Sequence, residues 1–332
     1  MKNKNILFFM PSIEGGGVEK NLFIISNYFS KKFKIVSLIT SSIKFKSKFN
    51  KQIKIISPNN IFWESFGRKT KYLVCLFLLL FQLIKKKEMI VFSFQANIYC
   101  IILCKIFNVK IIVRSNSAPI GWSQNPFKNF IFKKILKLAN KTIVNSQEFN
   151  KELKKRYDIK PITIYNPLNK SEIIKLSKKK LHNKFFTKKS INLINVGRFT
   201  DQKDHLTLLK SINLIKNKIN LRLMILGRGV NYNLINSYIE KNKLKKIIKI
   251  KDFTKNPFPY IKQADVFILS SRFEGLPNVL LEAITLKKFV ISTQCQTGPK
   301  EILLNGKGGL LSKVGDHKDL SKKIWFYSRN KN

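Results

Sequence analysis

Residues 266–282 read Val-Phe-Ile-Leu-Ser-Ser-Arg-Phe-Glu-Gly-Leu-Pro-Asn-Val-Leu-Leu-Glu. The apolar run at 266–270 has no polar alternation, which fits a strand buried on both faces. Gly275 then marks a turn, and Pro277 suits the first position of a helix, where its missing N–H costs nothing. The helix continues over 278–286, and 289–292 reads as the next strand. Strand, turn, helix and strand in this order form a parallel β–α–β unit.

The alternation continues in both directions. In the same half, 191–196, 221–226 and 247–251 read as strands, and 205–215, 234–241 and 259–262 as helices. In the first half, strands are expected at 5–11, 33–40, 53–57, 89–94, 110–114, 142–145 and 162–165. Helices are expected at 18–29, 72–84, 97–107, 127–139 and 147–156. Asn166-Pro167 interrupts the series, and the Lys-rich stretch 169–189 reads as a linker. The fold class is therefore α/β: two doubly wound, Rossmann-like domains, 1–168 and 190–315, facing across a cleft. A C-terminal helix in 316–332 is expected to pack back toward the N-terminal domain. Ligands of such sheets bind beyond the carboxyl ends of the strands.

Composition narrows the partners. The 332 residues are 44 % hydrophobic, which excludes a disordered chain. Lys and Arg number 64 against 18 Asp and Glu, a formal charge of +46. Abundant Lys, Asn and Ile are also what an AT-rich coding sequence produces, but the charge attracts anionic partners either way. The four cysteines (Cys75, Cys100, Cys104, Cys295) form no C-x-x-C pair, and His182, His205 and His317 are far apart, so no metal site or disulfide framework is expected. The apolar run 6–10 is too short for a signal-peptide core and reads as a first buried strand. Residues 72–84 are nearly all apolar and flanked by Lys69, Lys71 and Lys85 to Lys87. At 13 residues the segment is too short to span a bilayer. It is either a helix buried under the sheet or a surface helix that dips into lipid headgroups.

Three groups of residues carry the candidate chemistry. The turn from Gly275 through Leu276, Pro277 and Asn278 to Val279 offers free backbone N–H groups at a helix start, a natural phosphate site. Glu274 precedes the helix and Glu282 lies about one turn inside it; a carboxylate can accept two hydrogen bonds from a vicinal diol, so Glu282 suits a ribose and Glu274 a hexose. Gly197-Arg198-Phe199-Thr200-Asp201-Gln202-Lys203 follows another strand, with Lys203 expected at the start of the next helix. Arg198 and Lys203 are expected to reach one diphosphate and to stabilise it without a metal. No D-x-D sequence occurs anywhere in the chain, so no bound divalent ion and no cofactor are expected. Gly15, Gly16 and Gly17 follow the first strand, but Lys20 stands where a dinucleotide fingerprint needs glycine, which disfavours hydride chemistry.

Taken together, residues 195–311 closely resemble the catalytic domain of retaining glycosyltransferases of family 4, which have the GT-B fold. The resemblance rests on the E-x7-E pair Glu274/Glu282, the preceding Ser-Ser-Arg-Phe, the Gly-Leu-Pro-Asn turn, the Arg198…Lys203 pair and Gly298-Pro299-Lys300-Glu301-Ile302. The first half matches more loosely, through Gly-Gly-Gly-Val-Glu-Lys and a Tyr165-Asn166-Pro167 hinge. The resemblance implies that Arg198 and Lys203 hold the donor diphosphate, Glu282 the ribose and Glu274 the transferred sugar, with the loop at Gly16 and Gly17 closing over phosphates and acceptor. Many relatives carry a histidine after the strand that here ends Val113-Arg114-Ser115-Asn116. Asn116 stands there instead, able to orient a sugar but not to act as an imidazole.

The resulting expectation is a hexosyltransferase of bacterial surface polysaccharides. It would use a nucleotide-sugar donor, a UDP-sugar foremost, and a lipid-linked, lipopolysaccharide or capsule glycan as acceptor, including polyprenyl-diphosphate-linked glycans. It would sit in the cytoplasm, peripheral on the inner face of the cytoplasmic membrane, drawn to its anionic surface and to no nucleic acid. A nucleotide-sugar epimerase or phosphorylase, or a basic membrane-binding scaffold with a decayed site, remain the alternatives.

Overall fold

Most strands in this chain are predominantly apolar, with at most one polar residue in 5–9, 221–226 and 266–269, and such runs are stable only when both sheet faces are covered. In the computed structural model, which describes residues 4–58, 63, 65–85, 88–116, 125–181 and 183–331, they assemble into two separate parallel sheets. Lys86, Lys87 and His182 lie outside the described residues. The chain divides into two units, Met1–Pro167 and Leu168–Asn332.

The first unit runs β1 (Asn5–Phe9), α1 (Gly17–Phe29), β2 (Ile35–Ile39), β3 (Ile53–Ile56), α2 (Arg68–Lys85), β4 (Met89–Ser93) and α3 (Asn97–Ile106). It continues through β5 (Lys110–Ser115), α4 (Pro126–Lys137), β6 (Lys141–Val144), α5 (Gln147–Tyr157) and β7 (Ile162–Thr163). Its sheet order is β3-β2-β1-β4-β5-β6-β7, so the winding reverses between β1 and β4. On one face, α2 to α5 bury Leu79, Ile101, Leu136 and Phe149 against Leu7, Val91 and Ile111. On the other, Leu22 of α1 packs with Phe8, Leu38 and Phe92. Arg114, 1 % exposed at the end of β5, donates hydrogen bonds of 3.0 Å to the Ile164 carbonyl and to Asn166 Oδ1. Desolvation lowers its pKa to about 10, still protonated at neutral pH. This buried guanidinium fixes the last residues of the unit onto its sheet.

The second unit runs α6 (Lys170–Ser177), β8 (Ile191–Val196), α7 (His205–Ile215), β9 (Leu221–Leu226), α8 (Tyr232–Lys241), β10 (Ile248–Lys251), α9 (Phe258–Gln263) and β11 (Val266–Leu269). It ends with α10 (Asn278–Thr285), β12 (Phe289–Thr293), α11 (Pro299–Ile302), β13 (Leu310–Ser312) and α12 (His317–Arg329). The order β10-β9-β8-β11-β12-β13 reverses between β8 and β11, which pair with Leu193 against Val266 and Ile194 against Phe267. The loops after β8 and β11 therefore leave neighbouring strands in the direction of a ligand crevice.

Two expectations change. The stretch 169–189 is not simply a linker, because α6 buries Ile173 in the second unit's core. The C-terminal helix contributes to that unit as well: Leu320 and Ile324 of α12 are buried with Leu208 and Ile212 of α7. Pro277 is the N-cap of α10 rather than its first helical residue. Among the described residues no helix is long and apolar enough to cross a membrane.

α2 has two apolar faces, and they behave differently. Cys75, Leu79 and Leu83 are buried at helical spacing, whereas Leu73, Phe77, Phe81 and Ile84 on the opposite side are exposed. Leu79→Ala should therefore cost about 2–5 kcal/mol in urea unfolding, and Phe77→Ser no more than about 0.5 kcal/mol. Equal losses in the two variants would mean that the helix is packed on both sides.

Candidate active site

The site grows from the carboxyl ends of β9, β8, β11 and β12, four adjacent strands. After β8 the chain enters Gly197–Asp204, which is laced to the loop after β9. Gly197 N donates to the Leu226 carbonyl at 3.0 Å, Phe199 N to the Arg228 carbonyl at 2.9 Å, and Asn231 N back to the Phe199 carbonyl at 3.0 Å. The two loops touch so closely that a Cβ on Gly227 would lie 1.9 Å from the Gly197 carbonyl oxygen. On its other side the β8 loop is tied to the loop after β11. Arg272 N donates to the Gln202 carbonyl at 2.8 Å, Gln202 Nε2 to the Phe273 carbonyl at 3.0 Å, and Ser270 Oγ to the Lys203 carbonyl at 2.9 Å. Arg272 Nε also pairs with the buried Asp204 carboxylate at 3.1 Å.

This lacing brings Lys203 and Glu274 together. Lys203 Nζ lies 2.5 Å from Glu274 Oε1, and Ser271 Oγ donates to the same oxygen at 2.6 Å. The side chains are 14 % and 8 % exposed, so the pair is shielded from water on most sides. Lys203 sits in a 3-10 turn, Asp201–Lys203, just before α7 rather than at the start of that helix. An ammonium has three donors and Glu274 takes one, which leaves two to point elsewhere.

The β12 loop supports the turn from beneath. Thr293 Oγ1 and Cys295 Sγ donate to the Ser271 carbonyl at 2.6 and 3.1 Å, and Thr297 Oγ1 donates to the Glu274 carbonyl. Gly298 is at φ +85°, and a Cβ there would lie 1.8 Å from the Gly275 carbonyl oxygen, so only glycine fits.

The other expected residues distribute as follows. Glu282 and Asn278 are buried in α10, and Gly275, Leu276 and Pro277 are buried in the turn that leads to it. Val279 is half-buried in the first turn of α10, which no N-cap side chain closes. Arg198 is exposed, and among the described residues its guanidinium has no ion-pair or hydrogen-bond partner. Gly16, Gly17 and Asn116 belong to the first unit: Gly16 is the N-cap of α1, Gly17 its first residue, and Asn116 follows β5, donating to the Arg114 carbonyl at 3.4 Å. At that unit's own reversal point, Ser12 N donates to Gln95 Oε1 and Gln95 Nε2 to the Ser12 carbonyl, both at 3.0 Å.

Sequence reasoning assigned no role to Ser271, Asp204 or Thr297. For Ser271 and Thr297 the only sequence signal is a short polar side chain in the loop after a strand, whereas Asp204 is the N-cap of α7, its carboxylate accepting from Thr207 N at 3.2 Å. His205 also went unassigned. It is buried at 3 % exposure, edge-on to Phe199 with ring centroids 5.0 Å apart, and among the described residues neither ring nitrogen has a hydrogen-bond partner.

With this geometry in place, known proteins supply the context. Residues 177–332 match the family model described as Glycosyl transferases group 1. An uncharacterized glycosyltransferase of Methanocaldococcus jannaschii is 34 % identical over 221 residues, 61 % of this chain and 53 % of the relative. A Campylobacter jejuni enzyme named as an N-acetylgalactosamine-N,N'-diacetylbacillosaminyl-diphospho-undecaprenol 4-alpha-N-acetylgalactosaminyltransferase is 24 % identical over 229 residues, 67 % of this chain and 62 % of the relative. The chain thus spans between half and two thirds of the length of these curated relatives. The crystal structure of Anabaena HepE in complex with UDP is 14 % identical, with a TM-score of 0.75 over 98 % of this chain and 90 % of that one. The fold is GT-B. The matched family segment contains all of the loops that converge on Lys203 and Glu274.

Burial of His205, with a smaller contribution from the Lys203 charge, lowers its pKa from 6.5 to about 4. The unfolded chain therefore binds a proton that the folded chain does not between these values, and the neutral imidazole's stability is lost as pH falls through this window. Between pH 7 and pH 5 this one group should remove about 2 kcal/mol from the unfolding free energy. His205→Leu should reduce the pH 7-to-5 loss by that amount in urea titrations. An unchanged loss would mean that the imidazole titrates normally in the fold.

Proposed function

We propose that this chain is a retaining glycosyltransferase that moves a hexose from a nucleotide-diphosphate sugar, a UDP-sugar foremost, onto a lipid-linked, lipopolysaccharide or capsule glycan. The observation that carries the reading is the buried Lys203–Glu274 pair, with exposed Arg198 in the same loop, at the reversal point of a sheet whose segment matches a glycosyltransferase family.

The roles follow from the chemistry of the side chains. Arg198 offers a planar fork and Lys203 its two remaining donors to the diphosphate, whose charge they neutralise as the sugar leaves, without need of a metal. Glu274 Oε1 is already occupied by Lys203 and Ser271, so Oε2 serves as the acceptor for a hydroxyl of the donor sugar. Glu282 takes the ribose. The two donors on Oε1 hold the carboxylate in place while its other oxygen orients the sugar. The acceptor hydroxyl then attacks on the face from which the diphosphate departs, and the departing phosphate oxygen takes its proton. The first unit, with Gly16, Gly17 and Asn116, is assigned to acceptor and phosphate contact. A lipid-linked acceptor places the work at the inner face of the cytoplasmic membrane.

Glu274→Gln should keep a cooperative unfolding transition yet lower kcat/KM for sugar transfer about ten- to a hundred-fold, the worth of one charged hydrogen bond. Wild-type kcat/KM in the folded variant would remove this residue from the site.

Nucleotide binding gives a second, assay-independent test. UDP at a hundred times its Kd should add about 2.7 kcal/mol to unfolding, with EDTA making no difference. Arg198→Ala and Lys203→Ala should each remove most of that protection, and the double variant little more, since both act on one ligand group. Lys210, exposed on α7 beyond its first turn, is the control. Equal protection in all variants would place the diphosphate elsewhere.

A further inference from the structure

Buried polar atoms without a hydrogen-bond partner collect at one place in the first unit, the carboxyl ends of β5 and β6. They are Arg114 Nε, Ser115 Oγ, Asn116 Oδ1 and Asn145 Oδ1. Among the described residues of that unit only Asn5, which opens β1, and Glu152, within α5, carry another such atom. Arg114 and Asn145 are 1 % exposed and Ser115 4 %. In the register of the two strands Ser115 pairs with Val144, so Asn116 and Asn145 each stand one residue beyond that pair. An unpaired buried polar atom is costly, and folded proteins pair nearly all of theirs.

Nearby polar groups show the contrast. Asn97, which follows β4, is closed at both ends of its amide: Nδ2 donates to the Arg114 carbonyl at 3.2 Å, and Oδ1 accepts from Ser93 Oγ at 2.8 Å. Ser146, next to Asn145, caps α5 by accepting from Phe149 N at 3.2 Å. The fold employs these groups and leaves Ser115 and Asn145 without a task. They stand at the carboxyl ends of parallel strands, where doubly wound sheets bind their ligands.

The atom types select the ligand. Asn116 Nδ2 is engaged with the Arg114 carbonyl at 3.4 Å, which leaves Oδ1 as the available end of that amide. Arg114 Nη2 is likewise spent on the Ile164 carbonyl and Asn166, so one guanidinium donor, Nε, stands among three oxygens. A phosphate brings only acceptors and would set its charge against the Asn oxygens. A sugar hydroxyl both donates and accepts and can satisfy every atom of the set.

We infer that the ends of β5 and β6 form a subsite for a neutral sugar ring of the acceptor. Asn116 and Asn145 accept from its hydroxyl or N-acetyl N–H groups, Arg114 Nε donates to one of its oxygens, and Ser115 Oγ does either. This rests on the glycosyltransferase reading above and narrows it: the part of the acceptor held here is uncharged. Ser115 and Asn145 are added to Asn116, the one residue of the set that the sequence pointed to.

Saturation-transfer NMR on the full chain reads it out, with methyl glycosides of glucose, galactose, N-acetylglucosamine and N-acetylgalactosamine as probes and inorganic phosphate as competitor. At least one glycoside should bind, and phosphate should not displace it. Ser115→Ala and Asn145→Leu should each weaken that glycoside about tenfold. Both should melt at or above the wild-type temperature, because each removes an atom that the free fold leaves unpaired, and both should keep full protection by UDP. A purely structural role would instead lower the melting temperature. Binding of none of the glycosides, wild-type glycoside affinity in both variants, displacement by phosphate, or a lowered melting temperature in both variants overturns the inference. Glycoside binding that both variants weaken, in a chain that UDP fails to protect, would uphold the subsite and contradict the nucleotide-sugar reading.

Discussion

Glu274 is a carboxylate held away from water, and a buried charge survives only where donors surround it. Lys203 and Ser271 supply two donors to a single oxygen, and the backbone around them is arranged so that they can. Lys203 reaches Glu274 because the β8 loop is hydrogen-bonded to the β11 loop through Gln202, Arg272 and Ser270. The β11 loop stays in place because Thr293, Cys295 and Thr297 hold its carbonyls from below, and because Gly298 lets the backbones meet. Separating Lys203 from Glu274 would leave an unpaired buried charge on each side of the reversal point. The same constraint preorganises the site: its main cation and its main carboxylate are fixed before any ligand arrives.

Much of this was legible in the sequence because parallel sheets write themselves plainly. The runs at 191–196, 221–226 and 266–269 are mostly apolar, broken only by Asn192, Asn195 and Arg222, so strands and their order of appearance could be read directly. The polar residues that interrupt them, Arg198, Lys203 and Glu274, stood out by position at strand ends. What escaped was tertiary. Nothing in Ser271 or Thr297 announces which carboxylate or carbonyl it will meet, since those partners lie on other loops. α6 was missed although Asn169 accepts from Glu172 N at 3.2 Å and donates to its carboxylate at 2.9 Å, a capping box readable as Asn-Lys-Ser-Glu. The dense lysines of 178–180 and 188–189 obscured it. That α12 packs on α7 was not legible for a related reason: an amphipathic pattern shows that a face will be buried, not against what.

The lysine excess has different meanings in different places. In the second unit, two basic residues stand at a strand-end turn where backbone hydrogen bonds fix their position. In the first unit, cations cluster with exposed aromatic rings on three helices that bear no acid at all. Base composition of the coding sequence can raise the number of lysines, but the absence of acids from these helices and the outward apolar stripes are matters of placement.

The most direct test of the central claim is a crystal structure of the chain with UDP bound. The account predicts diphosphate oxygens about 3 Å from both the Arg198 guanidinium and Lys203 Nζ, at the open first turn of α10, with Lys203 still in contact with Glu274. A diphosphate bound with neither residue in reach, or density for UDP at another strand edge, would contradict it.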